Sequence, residues 1–145
     1  MTQNLIRIFE ALSVADYKQI AAEILKSCPT HKIFYLHGQL SAGKTSLVKE
    51  LVAHLGYNGT VQSPTYAIIN IYNTADEDIY HMDLYRLERQ EELLETGAEE
   101  YVHSGQYCFV EWPELLESVS DWTFCRIDIS VMPDGMRKIT CEMFS

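Results

Sequence analysis

Residues 38–45 read Gly-Gln-Leu-Ser-Ala-Gly-Lys-Thr and match the phosphate-binding pattern G-x-x-x-x-G-K-[ST]. Glycines in such a loop let successive backbone N–H groups point at a phosphate, and the following helix adds its positive N-terminal end. The lysine reaches the β- and γ-phosphates, and the threonine hydroxyl ligates Mg²⁺. The predicted nucleotide contacts are therefore Gly38, Gln39, Leu40, Ser41, Ala42, Gly43, Lys44, Thr45 and Ser46.

The elements on either side of this loop have the order that a phosphate loop requires. The unbroken apolar run 33–37 predicts a strand buried on both faces of a parallel sheet. Apolar residues recur at helical spacing from Leu47 to Leu55, and Gly56 is a natural end for that helix. A strand before the loop and a helix after it favour a nucleotide site.

Two carboxylates end other predicted strands. Asp83 closes the run 79–83, and Glu111 closes the run 107–111. Because ligands of open α/β sheets bind outside the carboxyl ends of the strands, both should face the phosphate loop. Either one could bind Mg²⁺ or orient the attacking water. The loop 62–66 contains Thr65, which could sense the γ-phosphate as a switch threonine does, or make no ligand contact at all.

The identity of the nucleotide follows by elimination. Guanine recognition usually needs an N-K-x-D or T-K-x-D segment, and the sequence has none, so ATP is favoured over GTP. Trp112 directly follows Glu111 and could stack at the rim of the pocket or pack in the core. His37 and His81 have no partner histidine at ligand spacing, so we interpret them as structural or supporting residues.

Length and charge limit the remaining possibilities. A chain of 145 residues predicts one domain, 1–145. With a net charge of −10 and only 11 Lys and Arg, it offers no basic face for nucleic acid, so any RNA would be held by another protein. The acidic run 88–100 is either a solvated helix face or a docking surface for a basic partner. The lack of a signal-like start and of a bilayer-length apolar run predicts a cytoplasmic protein.

The rest of the chain predicts a three-layer α/β domain with a mixed sheet. We expect helices at 14–27, capped by Ser13, and at about 88–103, strands at 66–72, 79–83 and 107–111, and a hairpin of strands 124–131 and 137–143. The four cysteines are widely spaced, which predicts reduced core thiols rather than a zinc site or a disulfide framework.

Several blocks together resemble the TsaE family (also called YjeE), bacterial P-loop ATPases of tRNA threonylcarbamoyladenosine biosynthesis. The resemblance covers nearly the whole chain, and its H-x-D-L-Y-R and E-W-P blocks are highly specific. In chain order the blocks are Gly38-x-Leu-x-Ala-Gly-Lys-Thr45, Val61-x-Ser-Pro-Thr-Tyr66, His81-Met-Asp-Leu-Tyr-Arg-Leu87, Glu91-Glu-Leu93 and Glu111-Trp-Pro-Glu114.

The resemblance implies a P-loop α/β fold with ATP on residues 38–45 and Mg²⁺ on Thr45 and Glu111. Asp83 would be a second essential carboxylate, close to the magnesium or the attacking water. Residues 63–66 would form a switch-like loop, and Trp112 would stand beside the nucleotide. Adenine contacts would come from around Val14 and Gly135. Lys44, Asp83 and Glu111 would thus be the catalytic residues.

The partners implied by the resemblance are TsaD, which transfers the threonylcarbamoyl group to tRNA, and TsaB, which pairs with TsaD. The ATP-loaded protein would dock on that pair, and hydrolysis would reset the complex. This sequence departs from the family at Ser41, where a glycine is usual. It also places Arg137 two residues after Gly135 instead of directly after it, which argues against an arginine contact to the nucleotide there.

Two other functions remain open on the sequence alone. A small-molecule kinase shares the phosphate loop but needs an arginine-bearing lid over the γ-phosphate. The arginines beyond the loop, Arg86, Arg89, Arg126 and Arg137, do not form such a cluster in the sequence. Alternatively, the protein could be a binding module that senses ATP with negligible hydrolysis.

Overall fold

A seven-stranded mixed sheet forms the centre of the computed structural model, which describes residues 6–39 and 42–144. The strand order is β1-β7-β6-β2-β5-β4-β3. The strands are β1 (Ile6–Ala11), β2 (Ile33–His37), β3 (Ile69–Asn73), β4 (Asp78–Asp83), β5 (Tyr107–Glu111), β6 (Phe124–Val131) and β7 (Arg137–Phe144). The apolar run of β2 lies at the middle of the sheet, parallel to β5 on one side and β6 on the other, as its composition predicts.

Helices cover both faces of the sheet, so the molecule has three layers. They are α1 (Tyr17–Ser27), α2 (Lys44–His54), α3 (Gln90–Thr96), α4 (Ala98–Val102) and α5 (Glu114–Glu117). α1 and α2 pack on one face, where their apolar side chains meet Phe34, Leu36 and Phe109. α3, α4 and α5 pack on the other face against Tyr35 and Val110. The predicted α/β class with a mixed sheet and a C-terminal hairpin is confirmed.

Several element boundaries differ from the sequence prediction. The first helix begins as a 3₁₀ turn (Val14–Asp16), capped by Ser13 as predicted, before α1 proper. The strand predicted at 66–72 begins only at Ile69, because the preceding residues turn. The helix predicted at 88–103 is split into α3 and α4 at Gly97, whose φ of 72° is incompatible with a continuous helix. The sequence reasoning did not predict β1 or the single turn of α5.

The cysteines require a correction. All four are free and buried, as predicted. However, the sulfur atoms of Cys28, Cys125 and Cys141 lie within 4.8 Å of one another, so the expectation that no cysteines cluster is wrong. Cys28 caps the C-terminus of α1, whereas Cys125 and Cys141 lie on the neighbouring strands β6 and β7. Spacing along the chain does not reveal a cluster that tertiary packing creates.

Among the described residues, no helix is long and apolar enough to cross a bilayer.

Candidate nucleotide site

A cavity of about 400 Å³ opens at the carboxyl ends of the parallel strands. α2 begins on one side of it, the ends of β4 and β5 form its floor, and the loop 62–66 closes another side. This volume is within the range of small-molecule sites. The lining residues are Val14, Gln39, Ala42, Gly43, Lys44, Thr45, Ser46, Ser63, Thr65, Asp83, Tyr85, Glu111, Trp112 and Arg137.

Gly43 shows why the phosphate loop needs a glycine at this position. Its φ is 106°, a conformation that side-chain-bearing residues rarely adopt. A Cβ atom there would lie 2.5 Å from the Tyr17 hydroxyl, which itself donates to the carbonyl of Ala42 at 3.3 Å. The turn therefore leads directly into α2, whose first residue is Lys44. Leu40 and Ser41 lie outside the described residues.

Lys44 is folded back over its own loop. Its Nζ donates to the carbonyl of Gly38 and, at 3.2 Å, to that of Gln39, and it lies 3.8 Å from the centre of the Trp112 ring. The side chain is buried, and burial lowers its pKa, while the nearby carboxylates of Glu111 and Asp83 act in the opposite direction. A cation held at the floor of the cavity is placed to meet a phosphate.

Glu111 is fixed by hydrogen bonds from two sides. The Thr45 hydroxyl donates to both carboxylate oxygens, at 3.0 and 2.9 Å. His81 Nε2 lies 2.6 Å from Oε2, and because a carboxylate only accepts, this nitrogen donates. The other ring nitrogen, Nδ1, lies 2.9 Å from the hydroxyl of Tyr72, and the same hydroxyl lies 3.3 Å from the carbonyl of Gln62. A buried chain of hydrogen bonds thus joins the loop 62–66 to Glu111.

Asp83 is bound to that same loop more directly. Its Oδ2 accepts from the hydroxyls of Ser63 at 3.0 Å and Thr65 at 3.2 Å, and its Oδ1 accepts from the backbone N–H of Tyr85 at 2.9 Å. Asp83 and Glu111 are paired residues in the parallel β4–β5 register, so the two carboxylates are side by side. The two carboxylates therefore accept hydrogen bonds from different loops: Glu111 from Thr45 of the phosphate loop, and Asp83 from Ser63 and Thr65 of the loop 62–66.

The donor set of the cavity floor fits a magnesium ion. Mg²⁺ prefers oxygen ligands, and this floor offers the Thr45 hydroxyl and the carboxylates of Glu111 and Asp83. Both carboxylates are buried, 3% and 5% exposed, and two adjacent buried negative charges require a compensating cation. Lys44 balances one of these negative charges, and a divalent ion would more than balance the other.

Most of the predicted contact residues line the cavity, but not all. Val14 and Trp112 do, the latter tilted against Tyr85 with ring centroids 4.8 Å apart. Gly38 lines the neighbouring cavity on the other side of Trp112. Gly135 lies in the exposed β6–β7 turn and is not a lining residue.

The sequence reasoning missed some residues of the site. Arg137, for which no contact was expected, lines the cavity and donates through Nε to the carbonyl of Ala42 at 3.1 Å. Ser63 belongs to the predicted switch-like loop 63–66 but was not named as a contact residue. Tyr85 lies within a motif block, and that position was the signal that could have found it. Tyr72 lies outside those blocks, and no local signal marks it.

Two residues beside the site have strained backbone. Ile68, which follows the loop 62–66, has a φ of 71°, and Trp112, which follows Glu111, has a φ of 54°. Such conformations cost about 1–3 kcal/mol each and tend to occur at functional sites. At Trp112 the strained turn directs the ring toward Lys44.

Comparison with known proteins identifies the family of the chain. The family model described as "Threonylcarbamoyl adenosine biosynthesis protein TsaE" matches residues 12–139. The chain is 44% identical to the tRNA threonylcarbamoyladenosine biosynthesis protein TsaE of Haemophilus influenzae over 107 residues, 72% of this chain and 68% of that protein. It is 40% identical to the TsaE protein of Bacillus subtilis over 108 residues, 74% of this chain and 67% of that one.

A solved structure extends the likeness to the whole fold. The crystal structure of YdiB from Bacillus subtilis superposes with a TM-score of 0.79 at 28% sequence identity. The match covers 100% of this chain and 90% of that chain. With its phosphate loop, paired carboxylates and cavity in this arrangement, the chain belongs to the TsaE family.

Proposed function

We propose that the protein is a Mg²⁺-dependent ATPase of tRNA threonylcarbamoyladenosine biosynthesis, acting in the cytoplasm. The observation that carries the proposal is the convergence of Lys44, the Thr45–Glu111 pair and the Asp83–Thr65 pair on one cavity. The names of its relatives supply the pathway. The absence of a guanine-recognition segment in the sequence favours ATP.

In this proposal each group has a separate task. The backbone of the phosphate loop and Lys44 bind the β- and γ-phosphates, and Arg137 adds a second positive charge at the rim. Thr45 and Glu111 would hold the magnesium ion, and that ion would neutralise the charge that develops on the phosphate oxygens. Asp83, or Glu111 from its other oxygen, orients the attacking water. Trp112 excludes bulk water from the face of Lys44.

The loop 62–66 would report the state of the nucleotide. The hydroxyls of Ser63 and Thr65 both donate to Asp83. A γ-phosphate offers stronger, charged acceptors, so Thr65 can exchange Asp83 for the phosphate and move the loop. Tyr66 at the end of this loop is 86% exposed, and a large exposed aromatic residue is a suitable contact for a partner protein.

The partners in this proposal are TsaD and TsaB, with the tRNA held by them. A net charge of −10 supports this division of labour, because the chain itself is poorly suited to bind tRNA. The acidic segment 88–100 is a candidate docking surface. Lysine substitutions that test this surface are best made at Glu91 and Glu95, because both side chains are exposed. Glu92 is a poor choice, since its Oε1 accepts from the backbone of Glu88 and Arg89 and caps α3.

The decisive experiment is MgATP hydrolysis by the purified protein, alone and with TsaB and TsaD from the same source. Slow turnover alone and strong stimulation by the pair are expected, with Lys44→Ala inactive in both settings. Binding of MgATP without hydrolysis in any combination would instead support the sensing module. Transfer of phosphate to nucleosides or sugars faster than hydrolysis would contradict the proposal. Loss of co-purification with TsaB and TsaD in the Glu91→Lys, Glu95→Lys variant is expected if the acidic segment docks.

The arginines argue against a kinase. Arg89 pairs with Glu92 at 3.7 Å, and Arg126 pairs with Glu117 at 3.7 Å. Arg86 lies over the ring of Tyr66 at 5.2 Å. Of the described arginines only Arg137 lines the cavity, and one arginine does not make the lid that encloses a transferred phosphoryl group.

A further inference from the structure

Three buried cysteines form a cluster at the end of the sheet away from the nucleotide cavity. Cys125 is the second residue of β6, and β6 runs parallel to β2, whose far end leads into the phosphate loop. Cys141 on β7 is the register partner of Ile127, two residues along β6 from Cys125. Cys28, at the C-terminus of α1, lies over this pair. The cluster therefore has no part in the ATP chemistry described above.

The spacing of the sulfur atoms suits a bound metal ion. All three lie within 4.8 Å of one another, and Cys28 Sγ and Cys141 Sγ are 3.8 Å apart. Metal–sulfur bonds of about 2.3 Å at tetrahedral angles would separate the sulfurs by about 3.8 Å. The three residues are at most 2% exposed, so water does not compete for the sulfur atoms.

The ligand set is made of sulfur alone. In the part of the chain that the structure describes, no histidine nitrogen or carboxylate oxygen joins the group. His31, three residues after Cys28, has both ring nitrogens engaged, with the Thr30 hydroxyl at 3.3 Å and the Phe144 carbonyl at 3.2 Å. Thiolates select soft metals and exclude Mg²⁺ and Ca²⁺.

We propose that Cys28, Cys125 and Cys141 bind one soft, thiophilic metal ion. The ion displaces the three S–H protons, forms three metal–sulfur bonds and releases three protons to solvent. With Zn²⁺ the trithiolate complex carries one net negative charge, and with Cu(I) it carries two. Arg7 is the register partner of Cys141 and sets a positive charge beside the cluster. Structural Zn²⁺ almost always takes four ligands, whereas three sulfurs are the kind of set that soft Cu(I) accepts.

The test is a metal titration of the fully reduced protein under nitrogen, with Cd²⁺ as the first probe. Cd²⁺ bound to thiolates gives an ultraviolet charge-transfer band that carboxylate-bound Cd²⁺ lacks, so the nucleotide site does not interfere. One equivalent per chain is expected to saturate the band. Adding Zn²⁺ or Cu(I) to the Cd²⁺-loaded protein then shows which of these two physiological ions removes the Cd²⁺–thiolate band at the lower concentration. Displacement of Cd²⁺ by either ion supports the proposal.

Cys108 provides the matched control. It is also buried and reduced, but it lies on β5 in the other core, where its thiol donates to the backbone carbonyls of Tyr101 and Gln106. Burial raises the pKa of this thiol to about 12. Cys108→Ala is expected to bind Cd²⁺ as the wild type does, whereas Cys28→Ala and Cys125→Ala each lose at least tenfold in affinity and retain MgATP binding. No thiolate band in the wild type, or an unchanged band in both cluster variants, would overturn the proposal.

Discussion

Removing one hydroxyl, in Tyr72→Phe, tests the chain of hydrogen bonds behind Glu111. Tyr72 is 4% exposed and His81 is fully buried. The substitution deletes the 2.9 Å contact to His81 Nδ1 and the 3.3 Å contact to the carbonyl of Gln62 without changing the packing of the ring. A buried nitrogen left without a partner costs about 1–3 kcal/mol.

That cost has two measurable consequences. For a chain near 150 residues it lowers the melting temperature by roughly 2–12 °C. Because His81 then positions Glu111 less firmly, we also expect the Mg²⁺ concentration needed for half-maximal ATP binding to rise. If about 1.4 kcal/mol of this free energy is lost from Mg²⁺ binding at Glu111, the Mg²⁺ concentration needed for half-maximal ATP binding rises about tenfold. ATP binding without Mg²⁺ should stay unchanged.

Tyr35→Phe is the control. Tyr35 is equally buried, and its hydroxyl also has two partners, Ser120 at 2.7 Å and the indole N–H of Trp122 at 2.9 Å, but it belongs to the other core. It should destabilise the protein similarly while leaving the Mg²⁺ dependence as in the wild type. Equal Mg²⁺ dependence in Tyr72→Phe and wild type would refute the positioning role of Tyr72 and His81.

Three further outcomes are expected. Lys44→Ala should weaken ATP binding by roughly tenfold or more in equilibrium titrations, because a hydrogen bond to a charged group contributes about 1.5–3 kcal/mol; binding as tight as wild type would exclude a phosphate contact. Gly43→Ala should lower the melting temperature, since its Cβ would meet the Tyr17 hydroxyl at 2.5 Å, and Tyr17→Phe should partly reverse this; an unchanged melting temperature would contradict the φ of 106°. Burial raises the pKa of Tyr35 to about 12. The folded state thus keeps that proton longer than the unfolded state, and the resulting stability is complete below about pH 10 and lost as pH rises through 12. Alkaline unfolding should therefore be less steep in Tyr35→Phe, and identical profiles would exclude this contribution.

The sequence was informative where local chemistry decides the structure. The apolar run of β2 predicted a buried parallel strand, the glycines around Lys44 predicted a phosphate loop, and the runs that end in Asp83 and Glu111 predicted the strands β4 and β5. The prediction that Asp83 and Glu111 face the same cavity followed from the rule that parallel strands end at one edge of a sheet, whereas their side-by-side position depends on the β4–β5 pairing.

Other features depend on contacts between distant residues and were not visible. Tyr72 reaches Glu111 only through His81, and Arg137 reaches the phosphate loop only because β7 pairs with β6. The cysteine cluster likewise brings Cys28 beside Cys125 and Cys141, although Cys28 and Cys141 are 113 positions apart, because α1 packs over the β6–β7 hairpin. Hydrophobic periodicity locates such elements but does not specify which side chains meet.

The most direct test of the nucleotide site is the Mg²⁺ dependence of ATP affinity in the wild type and in Glu111→Gln, measured by calorimetry. Glutamine keeps the size of the side chain and can still accept from Thr45 and His81, but it lacks the charge that holds a cation. The wild type is expected to bind ATP more tightly when Mg²⁺ is present. Glu111→Gln should retain its Mg²⁺-free affinity and lose that increase. An undiminished increase in the variant, or no ATP binding by the wild type, would contradict the account.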